Sequence, residues 1–91
     1  MALKIPKKVK IGGLVYKVSI TDDLEDACAE IKSHKRLIQI KKADVDIMEL
    51  SFLHEILHGV NNEMPEEHVE FLAMALYQII KDNPNIFKNG K

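Results

Sequence analysis

The run His54-Glu55-Ile56-Leu57-His58 constrains this chain more than any other stretch. On a helix, residues four apart stack about one turn from each other, so both imidazoles project from one face and can address one cation. The pattern H-E-x-x-H carries a mechanism in that setting. Two neutral His nitrogens ligate zinc, and the intervening Glu is placed to polarise a metal-bound water. Shuffling this composition yields the pattern in roughly one or two arrangements per hundred, so its weight depends on what surrounds it. It must fall on a helix, and a third ligand must be within reach.

Hydrophobic periodicity supplies the helix. After Lys41-Lys42-Ala43 the apolar period changes from two to about three and a half. Asp44 or Asp46 can cap a helix whose apolar positions Ile47, Leu50, Leu53, Leu57 and Val60 form one stripe, with both histidines beside it. Gly59 falls near the end, and Asn61-Asn62 can supply a left-handed exit residue. Met64-Pro65 then open a second helix with Glu66 and Glu67 at the positive end of its dipole. Its buried stripe is expected to be Val69, Leu72, Ala73, Leu76, Ile79 and Ile80, and Asn83-Pro84 stops it. The tail from Asn85 to Lys91 is expected either to pack locally through Ile86 and Phe87 or to fray.

Upstream the pattern is that of strands. Apolar residues alternate from Val9 to Ile20 around Gly12-Gly13, which suits a two-residue hairpin. A second hairpin is expected from Ala27–Lys32, a turn at Ser33-His34-Lys35, and the β-branched run Arg36–Ile40. The expected fold is α+β. A small, twisted, mostly antiparallel sheet of about four strands (residues 1–42) packs on the H-E-x-x-H helix and a second C-terminal helix (44–83), with a tail over 84–91.

Ninety-one residues, 46% of them hydrophobic, suffice for one small core and not for two, so the chain reads as a single domain over 1–91. Thirteen Lys and Arg against fourteen Asp and Glu give a formal charge of -1, which disfavours nucleic acid and anionic membrane as partners. No apolar run resembles a signal-peptide core or a membrane span. The single Cys28 cannot close an intramolecular disulfide and reads as a small packed residue. A soluble protein of the reducing cytoplasm is the expectation.

A catalytic zinc site has three protein ligands and leaves a position for water. The second helix offers Glu66, Glu67, His68 and Glu70. Glu66 shares a face with Val69, Glu70 and Ala73 at the expected helix–helix interface and is the first choice, with Glu70 next. With Glu66 as ligand, Glu70 one turn later can receive an imidazole N–H. Acidic residues in a first helical turn are also favourable without any metal. His34, between Lys neighbours, reads as an exposed turn residue. Tyr77, seven residues beyond Glu70, can offer its hydroxyl to a developing oxyanion, although core packing also accounts for it.

Taken together, Phe52-Leu53-His54-Glu55-Ile56-Leu57-His58-Gly59, the segment Glu66 to Ala73, Leu76-Tyr77-Gln78 and Lys81-Asp82-Asn83-Pro84 resemble the very small zinc metallopeptidase-like proteins of phages and prophages, distantly similar to the ImmA/IrrE metallopeptidases. The resemblance spans nearly the whole chain. It implies a minimal gluzincin in which His54, His58 and Glu66 ligate one zinc ion and Glu55 is the general base. Thermolysin-like enzymes carry E-x-x-x-D at the third ligand; here Glu70 stands where that pattern has Asp, one methylene longer.

The function expected from these readings is zinc-dependent hydrolysis of peptide bonds in a peptide or protein substrate, which could add as a strand to the edge of the sheet at Arg36–Ile40. The alternative is a phage-encoded binding or regulatory protein of the same shape, with a structural metal or none. Substrate specificity and oligomeric state are not legible in the sequence.

Overall fold

A computed structural model describes residues 5–24 and 27–86. It has the expected α+β architecture, with strands β1 (Lys8–Ile11), β2 (Leu14–Thr21), β3 (Ala29–Lys32) and β4 (Leu37–Lys41), then helices α1 (Val45–Val60) and α2 (Glu66–Asp82). The β1–β2 hairpin turns on Gly12 and Gly13, whose φ angles are 58° and 87°. Two successive positive φ values match a type I′ turn, the geometry that follows the natural twist of paired strands. A short 3₁₀ turn at Ser33–Lys35 joins β3 to β4 and closes on Arg36 in the left-handed region.

Strand order differs from the two-hairpin expectation in one respect. The order is β1-β2-β4-β3, with β1–β2 and β3–β4 antiparallel and β2–β4 parallel. The run expected at an edge, Arg36–Ile40, therefore lies inside the sheet, and the edges are β1 and β3. Burial explains the choice. Ile38 and Ile40 of β4 are both fully buried, and burying each such side chain is worth about 1.5–3 kcal/mol. Only a central strand lets both be covered.

The core is built from Ile11, Tyr16, Val18, Ile38 and Ile40 of the sheet, with Met48, Phe52 and Ile56 of α1 packed against them. Those three helix residues, at i, i+4 and i+8, form the sheet-facing stripe. It is not the stripe read from the sequence, and Ile47 and Val60 of that set are exposed. The reason is that α1 is covered from two sides, by the sheet and by α2, so apolar residues recur on more than one of its faces. The two buried residues of α1 are both carboxylates, Glu49 and Glu55.

α2 packs on α1. Consequently only a narrow strip of it is buried, Val69 and Ala73, while Leu72, Leu76 and Ile79 of the expected stripe are exposed. The α1–α2 connection is not left-handed, since Asn61 is extended at φ −150°. Instead the Asn61 side chain accepts a bond from the Glu63 amide at 3.0 Å. Asn83 caps the end of α2 by donating its side-chain amide to the Ile79 carbonyl at 2.8 Å. Ile86 is exposed, and Phe87 lies outside the described residues. Among the described residues no helix is long and apolar enough to cross a membrane.

Gly59, directly after His58, faces side chains of the sheet. A Cβ placed there would lie 3.0 Å from Ile11 Cδ1 and 3.1 Å from Ile31 Cδ1. A side chain at residue 59 would require Ile11 and Ile31 to give way by a few tenths of an ångström. Gly59→Val should therefore overpack this contact and cost about 1–3 kcal/mol, read as a lower urea midpoint at unchanged slope; an unchanged midpoint would show that α1 has room to move.

Candidate metal centre

α1 delivers both imidazoles to one point. The Nε2 atoms of His54 and His58 are 3.1 Å apart, and the ring centroids are 4.8 Å apart, as i, i+4 stacking on a helix requires. Glu66, the first residue of α2, completes the group from the opposite side. Its Oε2 lies 2.8 Å from His54 Nε2 and its Oε1 lies 2.9 Å from His58 Nε2. The potential ligand atoms of the three residues all lie within 4.8 Å of one another.

The donor set fits a tetrahedral cation. Two nitrogens each about 2.05 Å from zinc stand roughly 3.3 Å apart across a tetrahedral angle, close to the separation found. Without an ion, each Nε2–H can donate to one oxygen of Glu66; a cation at the centre would instead take the nitrogen lone pairs and the carboxylate together. His54 and His58 are largely covered, whereas Glu66 retains 62% of its side-chain exposure, so the group is open to solvent on the α2 side.

Glu55 sits beside this cluster and is 7% exposed. Burial pushes its carboxyl up from 4.5 to about 7; His58 opposes the rise, while Glu66 and Glu30 add to it. A carboxyl that titrates near neutrality is matched to accepting and returning a proton. The cleft in front of it encloses about 710 Å³ and is lined on one wall by β3, through Ala29, Glu30 and Ile31, and on the other by His54, Glu55 and His58.

The other sequence candidates are distributed as follows. Glu70 lines the cleft wall and is exposed. Glu67, His68 and His34 are exposed and lie outside both the three-residue cluster and the cleft lining. Tyr77 is directed elsewhere. Its hydroxyl donates to Glu49 Oε1 at 2.6 Å, and it is not among the residues lining the cleft. Burial, then the bond to Glu49, push its phenol above the usual value, so it remains a donor. Cys28 is an exposed thiol lining the cleft, not a packed residue, although its carbonyl accepts the Lys41 amide at 2.8 Å just before β3.

Sequence reasoning missed the role of β3 as cleft wall and the burial of Glu49. The first depends on strand order. The second had a faint signal, a lone Glu between the apolar residues Met48 and Leu50.

No family model, curated protein or solved structure matches this chain.

Because burial raises the Glu55 carboxyl, the folded protein holds that proton to higher pH than the unfolded chain does. Stability is therefore lost as pH rises from about 4.5 through about 7. In chelator, Glu55→Gln should be more stable than the parent at pH 8 by on the order of 1 kcal/mol, screening included, with the gap closing near pH 4.5. Thermal melts at the two pH values check this.

Proposed function

We propose that this protein is a zinc-dependent peptidase of minimal size, in which His54, His58 and Glu66 hold the metal and Glu55 is the general base. The observation that carries the reading is the convergence of two helix-borne imidazoles and a carboxylate from a second helix on one point, beside a buried carboxyl raised to about 7. Zinc, when bound, supplies Lewis acidity, lowering the pKa of a water and polarising a carbonyl oxygen.

The chain's own residues do the rest. Glu55 accepts a proton from the attacking water and returns it to the leaving amine, which its position on the wall of the same cleft allows. The imidazoles reach their target without rearrangement, since both ride on one rigid helix held against the sheet. β3 is an edge strand, so its free side can pair with an extended peptide and lay the scissile bond along the cleft. The edge that receives substrate is thus β3, not the Arg36–Ile40 run. The lone thiol of Cys28 has no partner for an intramolecular disulfide, which suits action in a reducing compartment such as the cytoplasm.

Two variants separate the parts of this reading. Glu55→Gln should keep zinc at one per chain while lowering peptide cleavage by about 10²- to 10⁴-fold. Glu66→Ala removes a charged ligand and should weaken zinc at least about tenfold, measured by competition with a chromophoric chelator. Zinc bound tightly with no cleavage of any peptide by the parent protein would favour a non-catalytic binding module with a structural metal. Absence of zinc binding would sink the metal centre.

A further inference from the structure

The metal centre is assembled from two helices, and the one that brings Glu66 is attached on a single side. Among the described residues α2 packs on α1 with Val69 and Ala73 fully buried and Ala75, Tyr77, Ile80 and Lys81 half-buried. The two fully buried side chains are small, and Val and Ala offer little shape for a neighbouring helix to lock against. A slip of one residue moves a helix by about 1.5 Å and turns its side chains by about 100°. Either displacement would take Glu66 away from Nε2 atoms now 2.8 and 2.9 Å distant.

A polar link also joins the two helices. Glu49 of α1 is 1% exposed. Its Oε1 accepts the Tyr77 hydroxyl at 2.6 Å and faces Lys81 Nζ at 3.7 Å. Lys81 also donates to the Tyr77 hydroxyl at 3.2 Å and stands 5.2 Å from the centre of the Tyr77 ring. The other oxygen, Oε2, is buried with no hydrogen-bond partner among the described residues. As a source of stability this is a poor arrangement. A buried carboxylate that is only partly paired carries a desolvation penalty that an apolar side chain of similar size would not. What it offers is direction, since a short hydrogen bond between fixed atoms exists in one register of the two helices and in no other.

We propose that Glu49, Tyr77 and Lys81 are positioning residues that fix the register of α2 on α1 and thereby hold Glu66 at His54 and His58. This rests on the reading of those three residues as a metal centre. Tyr77 lies eleven residues beyond Glu66, roughly 16 Å along the helix, so it acts on the centre only through the helix. The polar link and the metal ligand grip α2 at well-separated points, with Val69 and Ala73 between them. Together they set both the position and the rotation of the helix, which neither end could do alone.

The test exploits the difference between stability and register. In Glu49→Met/Tyr77→Phe the buried polar group becomes apolar at similar volume. The fold should then melt at or above the parent temperature, while zinc affinity, by chelator competition, falls at least tenfold and the α2 amides of the metal-free protein exchange faster with solvent deuterium. A role in stability alone would lower the melting temperature and leave the affinity of the folded protein unchanged. Should the double variant fail to fold, Tyr77→Phe alone is measured in the same way, with the same loss of affinity expected. Zinc affinity within twofold of the parent in the folded variant would overturn the positioning role. The parent and Glu66→Ala are titrated alongside. If they bind zinc equally or not at all, the metal centre itself falls; if Glu66 matters and the clamp variant does not, only the clamp falls.

Discussion

The position of α1, held between a sheet on one side and a second helix on the other, is the constraint on which the rest depends. Helical spacing alone puts His54 and His58 on one face, but it does not decide what that face looks at. Met48, Phe52 and Ile56 commit one side of the helix to the β core, and the bare backbone of Gly59 lets it settle against Ile11 and Ile31. The imidazoles are thereby turned toward the cleft, where β3 forms the far wall. The same packing brings α2 in on the remaining side and Glu66 to the two Nε2 atoms.

Much of this was legible in the sequence, and for identifiable reasons. Gly12-Gly13 announced a turn because only glycine takes two positive φ angles cheaply. The change of apolar period after Lys42 marked the start of the helical half, and Glu66 could be placed on the interface by helical arithmetic. The parallel pairing of β2 with β4 could not be read, because local pattern specifies strands and turns while partner choice is settled by which strand can be completely covered. The apolar stripes of both helices misled in a related way. A period of 3.6 locates apolar residues around a helix but does not say how many neighbours the helix has. Among the described residues α1 packs against both the sheet and α2 and uses more than one face, while α2 packs chiefly on α1 and leaves Leu72, Leu76 and Ile79 exposed.

The two buried carboxylates of α1 show how environment divides one side-chain type into two tasks. Glu49 meets a phenol and an ammonium from α2. Glu55 meets the cleft, with imidazole on one side and the carboxylates of Glu30 and Glu66 nearby. They are six residues apart on one helix, near enough to share a scaffold, and under the proposed reading their different surroundings would suit one to fastening and the other to carrying a proton.

Glu66 is the first residue of α2, and under the proposed reading this placement would couple two equilibria that are usually separate. An ion that binds only when Glu66 is in place binds only the docked form of α2, so its binding free energy adds to helix docking. By mass action the docked form gains RT ln(1 + [L]/Kd), about 2.7 kcal/mol when the free ion stands at a hundred times its dissociation constant. In a domain this small that is a substantial share of the total stability. The availability of metal would then govern how much of α2 is docked. The protein would resist proteolysis where the ion is plentiful and yield to it, from the α2 end first, where the ion is scarce.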